Sequence, residues 1–124
     1  LLGAYEGYPK TSPLGRPINT DDPLRPDGDY GVSKGFGELL ARKYYDLYGI
    51  RTICIRIGSL SNDDKPIKSY EKLFLSHEDA AWVFKNALKS DINFGVYFAI
   101  SDNPNPIFNT DSTKRALGFS PKQK

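Results

Sequence analysis

The chain has 124 residues, of which 39% are apolar and 26% charged, and its 17 basic and 15 acidic side chains leave a formal net charge of +2. A chain of this size buries one core without disulfides or metals, and the composition is that of a soluble globular domain, which excludes a disordered or fibrous protein. The charges are scattered, no apolar run is long enough to cross a bilayer, and Cys54 is the single cysteine, so the sequence offers no nucleic-acid surface, membrane span, metal or disulfide framework, and a reduced, cytoplasmic setting is expected.

Residues 9 to 28 carry Pro9, Pro13, Pro17, Pro23 and Pro26 with Gly15 and Gly28, which removes backbone donors too often for regular structure and predicts a surface loop. From Gly31 to Tyr48 the apolar residues Val32, Phe36, Leu39, Leu40 and Leu47 recur at helical spacing, and Gly49 follows where a helix would stop. Arg51 to Ile57 reads as a strand with Ile53, Ile55 and Ile57 on one face and Thr52 and Cys54 on the other, as in a strand covered on both sides. After an irregular stretch through Lys65 and Pro66, Ser76-His77-Glu78-Asp79 sets a capping hydroxyl three residues before a carboxylate and opens a helix reaching about Lys89. Gly95 to Ile100 is a second apolar strand, and Asp111 to Leu117 a short helix stopped by Gly118 and Pro121. A helix, a short turn and a buried strand in that order predict an α/β domain with a parallel sheet.

Tyr30 and Lys34 stand one helical turn apart at the start of the first helix, which puts phenol and ammonium on one face. A phenol titrates near ~10 in water, so it serves as a base at neutral pH only where a positive neighbour stabilises the phenolate, and Lys34 supplies that charge. The pair suits proton exchange with a hydroxyl while a hydride moves elsewhere. Among eight tyrosines in a lysine-rich chain this spacing arises about once by chance, so its meaning rests on the surroundings.

Those surroundings, Pro23-Leu24-Arg25-Pro26-Asp27-Gly28-Asp29-Tyr30-Gly31-Val32-Ser33-Lys34, then Glu38, then Ile55-Arg56-Ile57-Gly58-Ser59, resemble the central block of the extended short-chain dehydrogenase/reductase family. The resemblance implies that Tyr30 is the general acid/base, that Lys34 also hydrogen-bonds the nicotinamide ribose, and that NAD or NADP lies across the strand C-termini of a doubly wound Rossmann sheet, with Ile57 and Gly58 beside it. Arg56-Ile57-Gly58-Ser59, Leu75-Ser76-His77-Glu78-Asp79 and Leu117-Gly118-Phe119-Ser120-Pro121 are most similar to uronate dehydrogenases, which oxidise a sugar acid to a lactone. In that branch the serine matching Ser59 contacts substrate and an arginine binds the carboxylate; the nearest stretch here, Lys65-Pro66-Ile67-Lys68, offers Lys68, a point charge without the arginine fork. Epimerase or dehydratase action on a nucleotide-linked sugar is the alternative within the family.

The family also pairs this helix with its copy in a dimer, which makes residues 31 to 48 a homodimer candidate through the stripe Gly37, Ala41, Tyr44 and Tyr48. Gly35 and Gly37 each cost a helix about 1 kcal/mol against alanine and call for a close neighbour. His77 is expected as a surface or capping residue of its helix, and Cys54 as packing.

No G-x-G-x-x-G turn occurs, so residues 1 to 124 are expected to be the C-terminal half of such a domain, about two sheet strands with flanking helices, holding no cofactor alone. The family's catalytic serine falls near Leu1-Leu2-Gly3-Ala4, either just upstream or replaced by leucine. The competing expectation is a non-catalytic interaction module with a closed core, and full burial of Ile53, Ile55 and Ile57 would favour it.

Overall fold

The computed structural model describes residue 12 and residues 14 to 122. Leu1 to Ala4, Pro9 and Pro13 lie outside the described residues. The elements are helix α1 (Asp29–Tyr48), strand β1 (Thr52–Ile57), a short 3-10 turn (Glu71–Leu73), helix α2 (His77–Lys89), strand β2 (Phe94–Ala99) and helix α3 (Asp111–Leu117). The expected order holds, with α1 starting two residues before Gly31. The strands pair in parallel, Thr52 opposite Phe94 and Ile57 opposite Ala99. A parallel pair needs a crossover, and α2 supplies it.

Local chemistry sets the element ends. Gly49 stops α1 in the left-handed region at φ 68°, its N–H donating to the Tyr45 carbonyl at 2.8 Å. Ser76 caps α2 by accepting the Asp79 N–H at 3.1 Å. The carboxylate half of this cap works through a relay. Asp79 is buried and accepts from Ser101 Oγ at 2.5 Å, while Ser101 Oγ accepts the Ser76 N–H at 3.0 Å. The second Asp79 oxygen accepts the Lys122 N–H at 2.9 Å, which ties the C-terminal segment to the same point.

Strand alternation divides the core into two clusters. Leu75, Val83, Ala99, Leu117 and Phe119 pack together with Ile55 and Ile57 against them, under α2 and α3. Ile18, Leu73, Phe98, Ile100, Ile107 and Phe108 form the other cluster, with the Phe98 and Phe108 rings stacked at 4.4 Å.

The apolar stripe of α1 does not face the sheet: Gly31 and Gly35 are the buried residues of the helix, with Glu38, Ala41 and Tyr45 half-buried beside them, while Val32, Phe36, Leu39, Leu40 and Leu47 are 42–73% exposed. The helix meets the sheet with its small residues. Gly35 has the close neighbour its cost demands, the Leu24 side chain, whereas Gly37 faces open space. β1 has α1 on one face and α2 on the other, as expected, and Ile53, Ile55 and Ile57 are half-buried; among the described residues its ladder partner is β2.

Candidate active site

A helix that turns directly into a strand runs back along it, so the start of α1 and the end of β1 share one end of the sheet. The buried pair of Arg56 and Glu38 fits that alignment. From Glu38 to Tyr48 the helix rises roughly 15 Å at about 1.5 Å per residue, and from Thr52 to Arg56 the strand rises roughly 13 Å. Arg56 Nε donates to Glu38 Oε1 at 2.7 Å and its NH2 group to Oε2 at 2.8 Å. The same guanidinium donates to the Thr20 carbonyl at 3.4 Å and lies 5.3 Å from the Phe98 ring centre. One side chain thereby fixes helix, loop and both strands.

At that end stand Tyr30 and Lys34 in the first turns of α1, both exposed. Lys34 Nζ lies 5.1 Å from the Tyr30 ring centre, within cation–π range. Ser33 Oγ donates to the Tyr30 carbonyl at 2.7 Å, a second bond to a carbonyl of the first turn. The pair expected from spacing is adjacent in space, and its solvent side is open.

The end of β1 is fixed by backbone bonds. Gly58 N–H donates to the Ala99 carbonyl at 2.9 Å, continuing the ladder beyond Ile57. Ser59 donates its N–H to the Leu73 carbonyl at 2.7 Å and accepts the Leu75 N–H at 2.9 Å, a parallel bridge rather than a plain turn. A Cβ on residue 58 would collide with the Leu73 carbonyl oxygen and the Ile100 side chain, so this close approach requires glycine. Ser59 is 6% exposed, and its hydroxyl has no hydrogen-bond partner among the described residues. A buried hydroxyl in that condition calls for a reason.

Lys68 stands apart from these groups. It is exposed on the loop between Ser59 and Leu73 and forms no ion pair among the described residues. His77 begins α2 as expected, yet both its backbone and its ring contact this loop, through Asp64 and Ser61. Arg56 carried a sequence signal, a lone charge within an apolar strand that requires a buried partner. Asp64 carried none, because its contact joins a polar loop to a helix start 13 residues away. Desolvation by burial pushes the Cys54 thiol up, in keeping with packing. Among the described residues no cluster of His, Cys, Asp or Glu suits a metal ion, and no helix is long and apolar enough to cross a membrane.

Known proteins resemble this chain in sequence and fold. The chain is 33% identical, over 98% of its length, to the NAD-dependent glucose-6-phosphate dehydrogenase of Haloferax volcanii, of which the match covers 49%. It is 47% identical, over 58% of its length, to a quarter (25%) of the uronate dehydrogenase of Agrobacterium fabrum. Glucuronic acid dehydrogenase from Chromohalobacter salexigens superposes with a TM-score of 0.81 at 32% identity, over 98% of this chain and 44% of that one. The chain spans about half the length, or less, of the relatives it matches. No protein-family model matches it.

Proposed function

Since the chain belongs to the extended short-chain dehydrogenase/reductase family, among NAD-dependent sugar dehydrogenases, we propose that it carries the proton-transfer and sugar-binding half of an enzyme oxidising a sugar or sugar acid. Lys34 over the exposed Tyr30 is the observation that carries this reading. Tyr30 takes the hydroxyl proton of the sugar as its carbon is oxidised, and Lys34 stabilises the phenolate that prepares this step. Ser59, buried with an unused hydroxyl, holds the sugar beside Tyr30.

NAD or NADP, when bound, accepts the hydride. The residues present fit its nicotinamide end: the exposed Lys34 ammonium offers donors for ribose hydroxyls beside Tyr30, and Ile57 and Gly58 close the strand at that end of the sheet. They do not fit its pyrophosphate, for which this sequence has no glycine-rich turn. The partly covered isoleucines of β1 favour a catalytic half over a closed interaction module.

At about 100° per residue, Gly37, Ala41, Tyr44 and Tyr48 continue the face of Tyr30 and Lys34. A cofactor-binding half docked beside Tyr30 and Lys34 would cover that stripe. The apolar stripe from Val32 to Leu47 is then the better homodimer surface within residues 31 to 48.

Lys68 assigns the substrate an anionic group, in line with the names of two relatives, one acting on a sugar phosphate and one on uronates. The test is a panel of glucuronate, galacturonate, glucose 6-phosphate and arabinose with NAD or NADP, followed by reduced-nicotinamide absorbance in the full protein. Oxidation of an anionic sugar is expected; no turnover with any member would refute the assignment.

A further inference from the structure

The loop after β1 leaves and returns at one point, the two backbone bonds that join Ser59 to Leu73 and Leu75. Its first half is knotted on itself: Ser61 Oγ donates to the Lys65 carbonyl at 2.6 Å and accepts the Lys65 N–H at 2.9 Å. Onto this knot α2 brings one residue with two contacts. The His77 N–H donates to Asp64 Oδ1 at 2.7 Å, and His77 Nε2 lies 2.7 Å from the Ser61 carbonyl oxygen. A carbonyl only accepts, so Nε2 carries the proton.

Asp64 reaches the helix in the left-handed region at φ 55°, which aspartate tolerates better than most residues. Its carboxylate there meets the unsatisfied N–H groups and positive end of the helix dipole. The second half of the loop is different. Pro66, Ile67, Lys68 and Ser69 are all exposed, held between the knot and Tyr70, whose N–H donates to the Ile67 carbonyl at 2.8 Å and whose side chain packs on the core.

We infer that His77 and Asp64 form a clamp that fixes the base of this loop on α2 and so presents Lys68 to the anionic group of the sugar. His77 is a positioning residue here, two contacts removed from substrate. This rests on the function proposed above. An interaction held alike in ground and transition states alters KM and leaves kcat.

The chain has one histidine, which makes its ring signals unambiguous. Imidazole nitrogen shifts of the neutral ring, read by NMR on labelled protein, should report the Nε2–H tautomer alone, and the Lys65 amide should exchange slowly. The Nδ1–H tautomer, or an averaged pair, overturns the clamp. In the full enzyme, His77→Ala should raise KM for the anionic sugar about two- to tenfold, the worth of one hydrogen bond, with kcat unchanged. His77→Gln keeps a donor for the same carbonyl and should restore KM. An unchanged KM in His77→Ala, a fall confined to kcat, or equal behaviour of the two variants overturns the inference. If wild-type protein oxidises no sugar, the proposed function fails by itself. The clamp is then judged by the tautomer and by whether His77→Ala speeds Lys65 amide exchange, and an unchanged rate refutes it.

Discussion

Glu38 and Arg56, 18 residues apart in sequence, close a two-pronged ion pair between helix α1 and strand β1 where water scarcely reaches. Burial makes the pair sensitive to losing one member more than to losing both, because the survivor is left as an uncompensated charge. Glu38→Gln keeps the shape and removes the charge. It should cost on the order of 3–5 kcal/mol in denaturant unfolding, and a loss under about 0.5 kcal/mol would show that the pair contributes no more than a surface contact.

Tyr30→Phe removes the proton acceptor and leaves the ring under Lys34. Sugar oxidation by the full enzyme should fall about 10²- to 10⁴-fold, the usual contribution of general base catalysis, with the unfolding midpoint unchanged because the ring is exposed. Lys34→Ala should lower turnover of the full enzyme at neutral pH, since the phenolate loses its cation. Near-normal turnover in either variant would remove the pair from the mechanism.

Gly58→Ala tests the close approach of the Leu73 carbonyl to β1. The added methyl has no room, and forced overpacking costs about 1–3 kcal/mol. Unfolding measurements should show that loss, together with a raised KM as the Ser59 bridge is displaced. Gly37→Ala, in open space, is the control and should be neutral or stabilising.

Asp22 gives a pH dependence with a definite sign. Its hydrogen bonds from Arg16, at 2.8 Å to each oxygen, lead the causes that hold its carboxyl down to about 2, with the Asn19 N–H next. A carboxylate depressed in the folded state contributes stability that is present above its unfolded value near ~3.9 and is lost as pH falls through the folded one. Asp22→Asn should therefore flatten the stability profile between about pH 4 and pH 2, where the wild type declines. Parallel profiles in that window would show that the contact is screened by solvent.

The elements were legible in the sequence because each kept a readable pattern: a 3.6 period in α1 and α2, alternation in β1 and a continuous apolar run in β2, with Gly49 and Gly118 as stops. Tyr30 and Lys34 were legible as neighbours because four residues make about one turn. The face of α1 that meets the sheet was not, because an apolar stripe marks a surface awaiting cover without saying what covers it. Here glycines meet the sheet and the leucines face outward. The packing of Gly58 was not legible, since the carbonyl that excludes a side chain arrives from Leu73, beyond a loop. The hold of His77 on Asp64 was likewise invisible, because nothing in a polar loop states which helix start it will reach.

The edge of β1 away from β2 also makes the molecule divisible. A strand edge can receive a matching strand from a separate polypeptide as readily as from its own chain. A cut ahead of the loop that carries Ile18 into the core is therefore a natural seam for splitting an enzyme of this kind into two pieces. A cofactor-binding piece and this catalytic piece, expressed apart, could report on the meeting of any two proteins fused to them by recovering turnover.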